Sequence, residues 1–236
     1  AYYKIKNLTP EEAVNGVLCA SAGNHAQGVA YAASSLGVKS TVFMPVFAPP
    51  LKVIATRAYG AEVILTGDTF DDAFAAAVEF GKKSGATFVH PFNDPKVIEG
   101  QATVGTEILN ESNFEIDYLF LPVGGGGLAA GVSTVFKQLS PNTKIIGVEP
   151  EGAPSMRASI ESNSLVILED IDRFVDGAAV QHVGDLTFEI CRRNLNDMIT
   201  VPEGEICSTI LRLYNEEAIV VEPAGAFSVT ALNHFR

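Results

Sequence analysis

The stretch Leu119-Phe120-Leu121-Pro122-Val123-Gly124-Gly125-Gly126-Gly127-Leu128 decides the architecture of this chain. It reads as an apolar strand that enters a helix through four consecutive glycines. Without Cβ atoms, successive backbone N–H groups can approach an anion closely, and the helix that follows adds its unpaired first-turn donors and the positive end of its dipole. One glycine serves an ordinary turn, whereas four in a row carry an entropic cost that a turn does not offset. The pattern therefore points to a phosphate held by residues 124–128. The loop lacks the lysine and the Ser or Thr of a Walker loop. It also departs from dinucleotide spacing, although Glu149 stands close to the acidic position that such a motif requires, so a nucleotide-binding reading stays open as the weaker one.

Working outward, the flanking sequence alternates short apolar runs with helix-period stretches. Helices are predicted near 100–110 and over 128–139, with strands at 118–122 and 144–149. Upstream, strands at 16–20, 40–44, 62–65 and 87–89 alternate with helices at 25–36, 50–59 and 69–84. Gly37, Gly60 and Gly85 fall where helices must stop, as left-handed C-terminal residues do. Beyond 151 the pattern loosens into a long connection to about 174, then a helix at 184–194, a strand at 198–201 and a helix at 203–215. Such βα alternation predicts an α/β protein with parallel sheets covered by helices and ligand loops at the carboxyl ends of strands. Two α/β lobes with a cleft between them are expected: a small one at 16–93, and a large one formed by 1–15 with 94–236.

The 236 residues are 47% hydrophobic, enough for one large or two modest cores, and the formal net charge is −12. Sixteen Lys and Arg among 28 acids give no basic face for a phosphate backbone, so nucleic acid is not an expected partner. No apolar run reaches roughly 18 residues and no basic leader opens the chain, which predicts neither a membrane span nor a signal peptide. Cys19, Cys191 and Cys207 are too few and too scattered for a disulfide framework or a zinc site and are expected to be buried thiols in the cytoplasm. His25, His90, His182 and His234 show no metal-ligand spacing, and no metal is expected.

A second loop repeats the logic of the first. Ser21, Ala22, Gly23, Asn24 and His25, followed by Ala26, Gln27 and Gly28, lead from a strand into a helix. Backbone donors of residues 22–25 and the Asn24 amide can receive a carboxylate. Simple capping by Ser21 or Asn24 is the plainer alternative. Two anion-receiving loops in one chain point to a ligand with two negative groups.

SAGNHAQG at 21–28 and VGGGGLAAG at 123–131 resemble the cofactor loops of the threonine dehydratases, which have the tryptophan synthase β-like fold, or fold type II, of pyridoxal-phosphate enzymes. EGQAT at 99–103 and EPAGA at 222–226 extend the likeness over nearly the whole chain, and the latter resembles the biosynthetic, isoleucine-pathway type. The resemblance implies that Gly124, Gly125, Gly126, Gly127 and Leu128 hold the phosphate of pyridoxal 5'-phosphate. It further implies that Asn24 donates to the 3′ oxygen of its ring, that Glu222 lies near the ring, and that Ser21, Ala22, Gly23, Asn24 and His25 hold the carboxylate of a small amino acid. A salt-bridged structural carboxylate is the alternative for Glu222. The implied reaction is β-elimination of L-threonine to 2-oxobutanoate and ammonia by a homo-oligomeric enzyme.

The family's Schiff-base lysine stands in a Ser-Phe-Lys-x-Arg-Gly-Ala segment, and Ala1-Tyr2-Tyr3 resembles the residues that follow it. Lys4 and Lys6 do not match that motif, so the lysine is expected ahead of Ala1 and no catalytic residue is expected within the chain. The serine-containing strand of the family is likewise expected beyond Arg236, and the chain alone is expected to be inactive. A serine racemase or serine dehydratase is the nearest alternative, although the racemase magnesium carboxylates are not evident in 149–159. A non-catalytic protein for a phosphorylated ligand is the alternative from another class.

Overall fold

The structure, a computed structural model, describes residues 1–235 and divides into two compact units, Ala1–Gly100 and Gln101–Arg236. The first is built on a four-stranded parallel sheet in the order β3-β2-β1-β4, where β1 is Val17–Ala20, β2 Ser40–Met44, β3 Glu62–Leu65 and β4 Thr87–Phe88. β1 is buried on both faces, and the pleat sorts its side chains. Val17 and Cys19 join Val29, Ala30, Ala33, Val42 and Met44 in one core, while Leu18 and Ala20 join Phe43, Ala73 and Ala77 in another. The first core is roofed by α3 (Asn24–Ser35) and the second by α5 (Phe70–Ser84). Alanines at 26, 30, 32 and 33 let α3 approach the sheet closely. Gly37, Gly60 and Gly85 take φ of 69°, 93° and 71°, as expected for chain reversals after helices.

Residues 1–15, expected with the other lobe, contribute Ile5 to the first unit's core, and Lys4 pairs with Asp94 at 2.6 Å. They form α1 (Tyr2–Lys6) and α2 (Pro10–Asn15). The start of α2 is a capping box, in which the Thr9 side chain accepts from Glu12 N–H and Glu12 accepts from Thr9 N–H. A ninth-position threonine followed by proline and two glutamates carried that signal openly. Within the first unit α4 (Pro50–Ala58) connects β2 to β3, and α6 (Pro95–Glu111) carries the chain from the first unit into the second.

The second unit holds the parallel sheet β5-β6-β7, with β5 at Tyr118–Pro122, β6 at Lys144–Pro150 and β7 at Asp197–Val201. β6 is central and buried from Ile145 onward. Its helices are α7 (Gly127–Leu139), α8 (Ser155–Glu161), α9 (Asp185–Asn194), α10 (Glu203–Glu217) and α11 (Pro223–Thr230). Val148, Val201, Ile206, Ala226 and Phe227 make the core under α10 and α11. Two helices correct the sequence reading. α8 lies inside the expected long connection because its first amides are received by the Glu149 side chain, and α11 has no polar face because its residues are mostly apolar, with Ala226, Phe227 and Thr230 buried. Cys207 is exposed, not buried, since it falls on the outer face of α10, while Cys19 and Cys191 are buried as expected.

Candidate functional site

The glycine loop is fixed by close backbone packing. At its start Val123 N–H donates to the Val148 carbonyl at 2.8 Å, so the loop leaves the sheet beside β6. A Cβ on Gly124 would stand 2.8 Å from Ala178 Cα and 2.9 Å from its carbonyl oxygen, which excludes any side chain there. Gly126 has φ of 89°, and a Cβ on it would lie 2.6 Å from Met156 Cε and 3.0 Å from Thr187. Gly126 is also the N-cap of α7 and supplies no side-chain cap, so the first-turn amides of this 13-residue helix face outward without a protein acceptor from their own helix. Packed glycines ahead of an uncapped helix form a cradle of donors in the positive field of the helix end.

Behind the loop, α9 holds its carbonyl oxygens. Thr187 Oγ1 donates to the Gly125 carbonyl at 2.7 Å, and Cys191 Sγ lies 3.8 Å from the Gly126 carbonyl. Burial pushes the Cys191 thiol up to about 12, with the nearby Glu149 charge adding to the effect, so it remains an S–H donor. Glu149 itself is fully buried, and its two oxygens accept from Met156 N–H at 2.7 Å and Arg157 N–H at 2.8 Å. Burial pushes its carboxyl up to about 8, against the opposing pull of those two amides. Glu149 is thereby spent on starting α8 and cannot reach a ribose, which closes the nucleotide-binding reading left open by its spacing.

In the first unit, the strand β1 delivers Ser21, Ala22 and Gly23, all half-buried, to the start of α3. Ser21 Oγ accepts from Gly23 N–H at 3.2 Å, a local turn in place of a helix cap. Gly23 is the N-cap and makes no side-chain cap bond, and Asn24, the exposed first residue of α3, is past the capping position. The capping alternative for Ser21 and Asn24 is thus not what the fold uses. His25 Nε2 bonds the Val89 carbonyl at 2.9 Å, and burial lowers its imidazole to about 4. Its side chain is neutral and turned into the fold, which leaves only its backbone N–H for an anion.

Glu222 is the N-cap of α11, ahead of Pro223, and its Oε1 lies 3.3 Å from where a Gly177 Cβ would stand. Since Gly124 packs on the next residue, Ala178, Glu222 and the glycine loop abut neighbouring positions of one segment. Among the described residues no group of three or more His, Cys, Asp or Glu side chains could hold a metal ion. Thr187, Glu149 and Met156, which shape the loop from behind, carry no sequence motif of their own. Only Glu149 drew notice, and for a different role.

The family of sequences described as pyridoxal-phosphate dependent enzymes matches residues 1–236, and the chain belongs to that family. It is 53% identical over 239 residues to the L-threonine dehydratase biosynthetic IlvA of Halalkalibacterium halodurans, covering 100% of this chain and 58% of that protein. The chain therefore spans somewhat over half the length of the curated relatives it matches. Among solved structures it is similar to the processed form of threonine deaminase isoform 2 from Solanum lycopersicum, with a TM-score of 0.94 and 46% identity over 97% of this chain and 66% of that one. It is also similar to maize serine racemase, with a TM-score of 0.94 and 31% identity over 98% of this chain and 69% of the other. The α/β fold with two parallel sheets is that of the pyridoxal-phosphate enzymes of this type.

Proposed function

We propose that the chain is the cofactor-binding part of a threonine ammonia-lyase that converts L-threonine to 2-oxobutanoate and ammonia, the entry reaction of isoleucine synthesis. The 53% identity to a biosynthetic threonine dehydratase across the whole chain carries the substrate assignment. The packed glycines and uncapped start of α7 fit the cofactor's phosphate, because they offer several N–H donors and no side chain that would fill its place.

In this reading the amides of Gly124, Gly125, Gly126, Gly127 and Leu128 receive the phosphate dianion, and the dipole of α7 offsets its charge. Asn24 donates to the 3′ oxygen of the ring. Ser21, Ala22, Gly23, Asn24 and His25 form the loop around the substrate carboxylate: Ser21 N–H donates to the Phe43 carbonyl and Gly23 N–H to Ser21 Oγ, which hold the turn, and the backbone N–H groups of Ala22, Asn24 and His25 receive the carboxylate. His25 stays neutral, so the charge of the carboxylate is met by dipoles and not by a cation. Glu222 lies beside the ring, its side chain against Gly177 and so next to Ala178, on which Gly124 packs. When bound, the cofactor supplies an electron sink for the pair left on Cα once its proton is removed. Loss of the β-hydroxyl and later addition of water to the released enamine balance, so threonine yields one 2-oxobutanoate and one ammonia.

The enzyme works in the cytoplasm as a homo-oligomer. The free, exposed thiol of Cys207 suits a reducing compartment, and Phe47, Leu51 and Ile54, 80%, 81% and 61% exposed on the first unit, offer apolar surface of the kind subunit contacts cover. The deciding experiment offers the holoenzyme L-threonine and L-serine separately and identifies the products. Formation of 2-oxobutanoate and ammonia from threonine supports the reading; D-serine as the main product from serine replaces it with a racemase, and no turnover of either leaves a phosphorylated-ligand binder.

A further inference from the structure

The Gly125–Gly126 peptide joins two residues that both lack a Cβ. Rotation about ψ of one glycine and φ of the next can turn such a peptide over with little steric resistance, since neither neighbour has a Cβ. The two orientations are opposite in effect. One points an N–H at an anion, and the other points a carbonyl oxygen at it. In a trans peptide the C=O of one residue and the N–H of the next point in opposite directions, and there are no cis peptide bonds among the described residues.

Resting on the phosphate reading of this loop, we propose that Thr187 is a positioning residue that latches the Gly125–Gly126 peptide so that its N–H faces the cofactor phosphate. Its hydroxyl is 2.7 Å from the Gly125 carbonyl oxygen and 3.1 Å from that of Gly184. One hydroxyl carries one proton, and the shorter contact takes the larger share of it. Thr187 is fully buried on the first turn of α9, so no water competes for the carbonyl. The peptide that follows needs no such latch. The Gly126 carbonyl already accepts from Ala130 N–H at 2.8 Å within α7, with the Cys191 thiol as a weak second donor at 3.8 Å. Thr187 therefore acts where the helix has not yet taken control of the backbone.

The test measures binding of pyridoxal 5'-phosphate and of pyridoxal, which lacks the phosphate, to the wild-type enzyme stripped of cofactor and to Thr187→Val and Thr187→Ser. Valine keeps the shape and removes the hydroxyl, whereas serine keeps the hydroxyl. The expected result is a fall of about tenfold in the preference for the phosphorylated ligand in Thr187→Val, with pyridoxal binding unchanged and Thr187→Ser like wild type. A variant that merely loosens the fold weakens both ligands together and leaves their ratio alone, and that outcome overturns the inference. So does Thr187→Ser losing as much preference as Thr187→Val. If the wild-type enzyme itself binds the two ligands equally, the phosphate reading of the loop is what fails; if wild type and Thr187→Val discriminate equally, that reading stands and the latch alone fails.

Discussion

His25 Nε2 lies 2.9 Å from the carbonyl oxygen of Val89, tying the first turn of α3 to the residue that follows β4. Burial lowers this imidazole from 6.5 to about 4, the Val89 bond opposing the shift only in part. Between those values the folded protein binds fewer protons than the unfolded chain. Stability is thus full above pH 6.5 and is lost as pH falls through 4, by up to about 3 kcal/mol. Unfolding of wild type and His25→Phe followed across this window checks it: the difference between them should change with pH, and a constant difference counts against a buried neutral His25.

Gly124→Ala and Gly126→Ala should both damage the cradle, for separate reasons. Alanine at 124 meets the Ala178 backbone, which cannot yield as a flexible side chain can. Alanine at 126 must hold φ of 89°, at a cost of about 1–2 kcal/mol, and must also displace the end of Met156. Each variant is expected to weaken binding of pyridoxal 5'-phosphate by at least about tenfold, measured by titration of the stripped enzyme. Undiminished affinity in both variants is the contrary result.

Glu149→Gln should lower stability by about 1–3 kcal/mol, since the amide nitrogen would face a backbone N–H of Met156 or Arg157 with no lone pair to offer. The pH dependence has the opposite sign to that of His25. With its carboxyl raised from 4.5 to about 8, Glu149 contributes most below pH 4.5, and that contribution is lost as pH rises through 8. Denaturant titrations at several pH values should show a shallower decline over this range in the variant. An equal slope would mean that Glu149 is ionised throughout.

Lys4 is committed to Asp94 at 2.6 Å, in a pair whose side chains are only 20% and 12% exposed. A protonated, paired ammonium is a poor nucleophile. Borohydride reduction of the holoenzyme followed by peptide mapping should leave Lys4 unmodified, whereas cofactor on Lys4 would show that the pair opens to serve it.

The strands and most helices were legible because alternation and punctuation agree: Gly37, Gly60 and Gly85 stand ahead of β2, β3 and β4, the glycine loop follows β5, and each of these reads locally. The passage from β5 into α7 was legible too, since four adjacent glycines between an apolar run and a helix-period stretch mark it locally. What lay beyond reading was long-range. α8 depends on Glu149 receiving the amides of Met156 and Arg157 across a turn, and no residue beside Ser155 announces a cap. Thr187 reaches Gly125 across 62 positions of sequence, a pairing that only the packing of α9 against α7 creates. The sequence offered the backbone donor of His25 to an anion but gave no sign of where its side chain goes, which its bond to the Val89 carbonyl, 64 positions away, decides.

The most direct test of the central claim is a crystal structure of the enzyme with pyridoxal 5'-phosphate. The phosphate is predicted to sit at the start of α7, within hydrogen-bonding distance of the amides of residues 124–128, with the Thr187 hydroxyl still on the Gly125 carbonyl behind it. A phosphate bound elsewhere, with these amides left to solvent, would contradict the account.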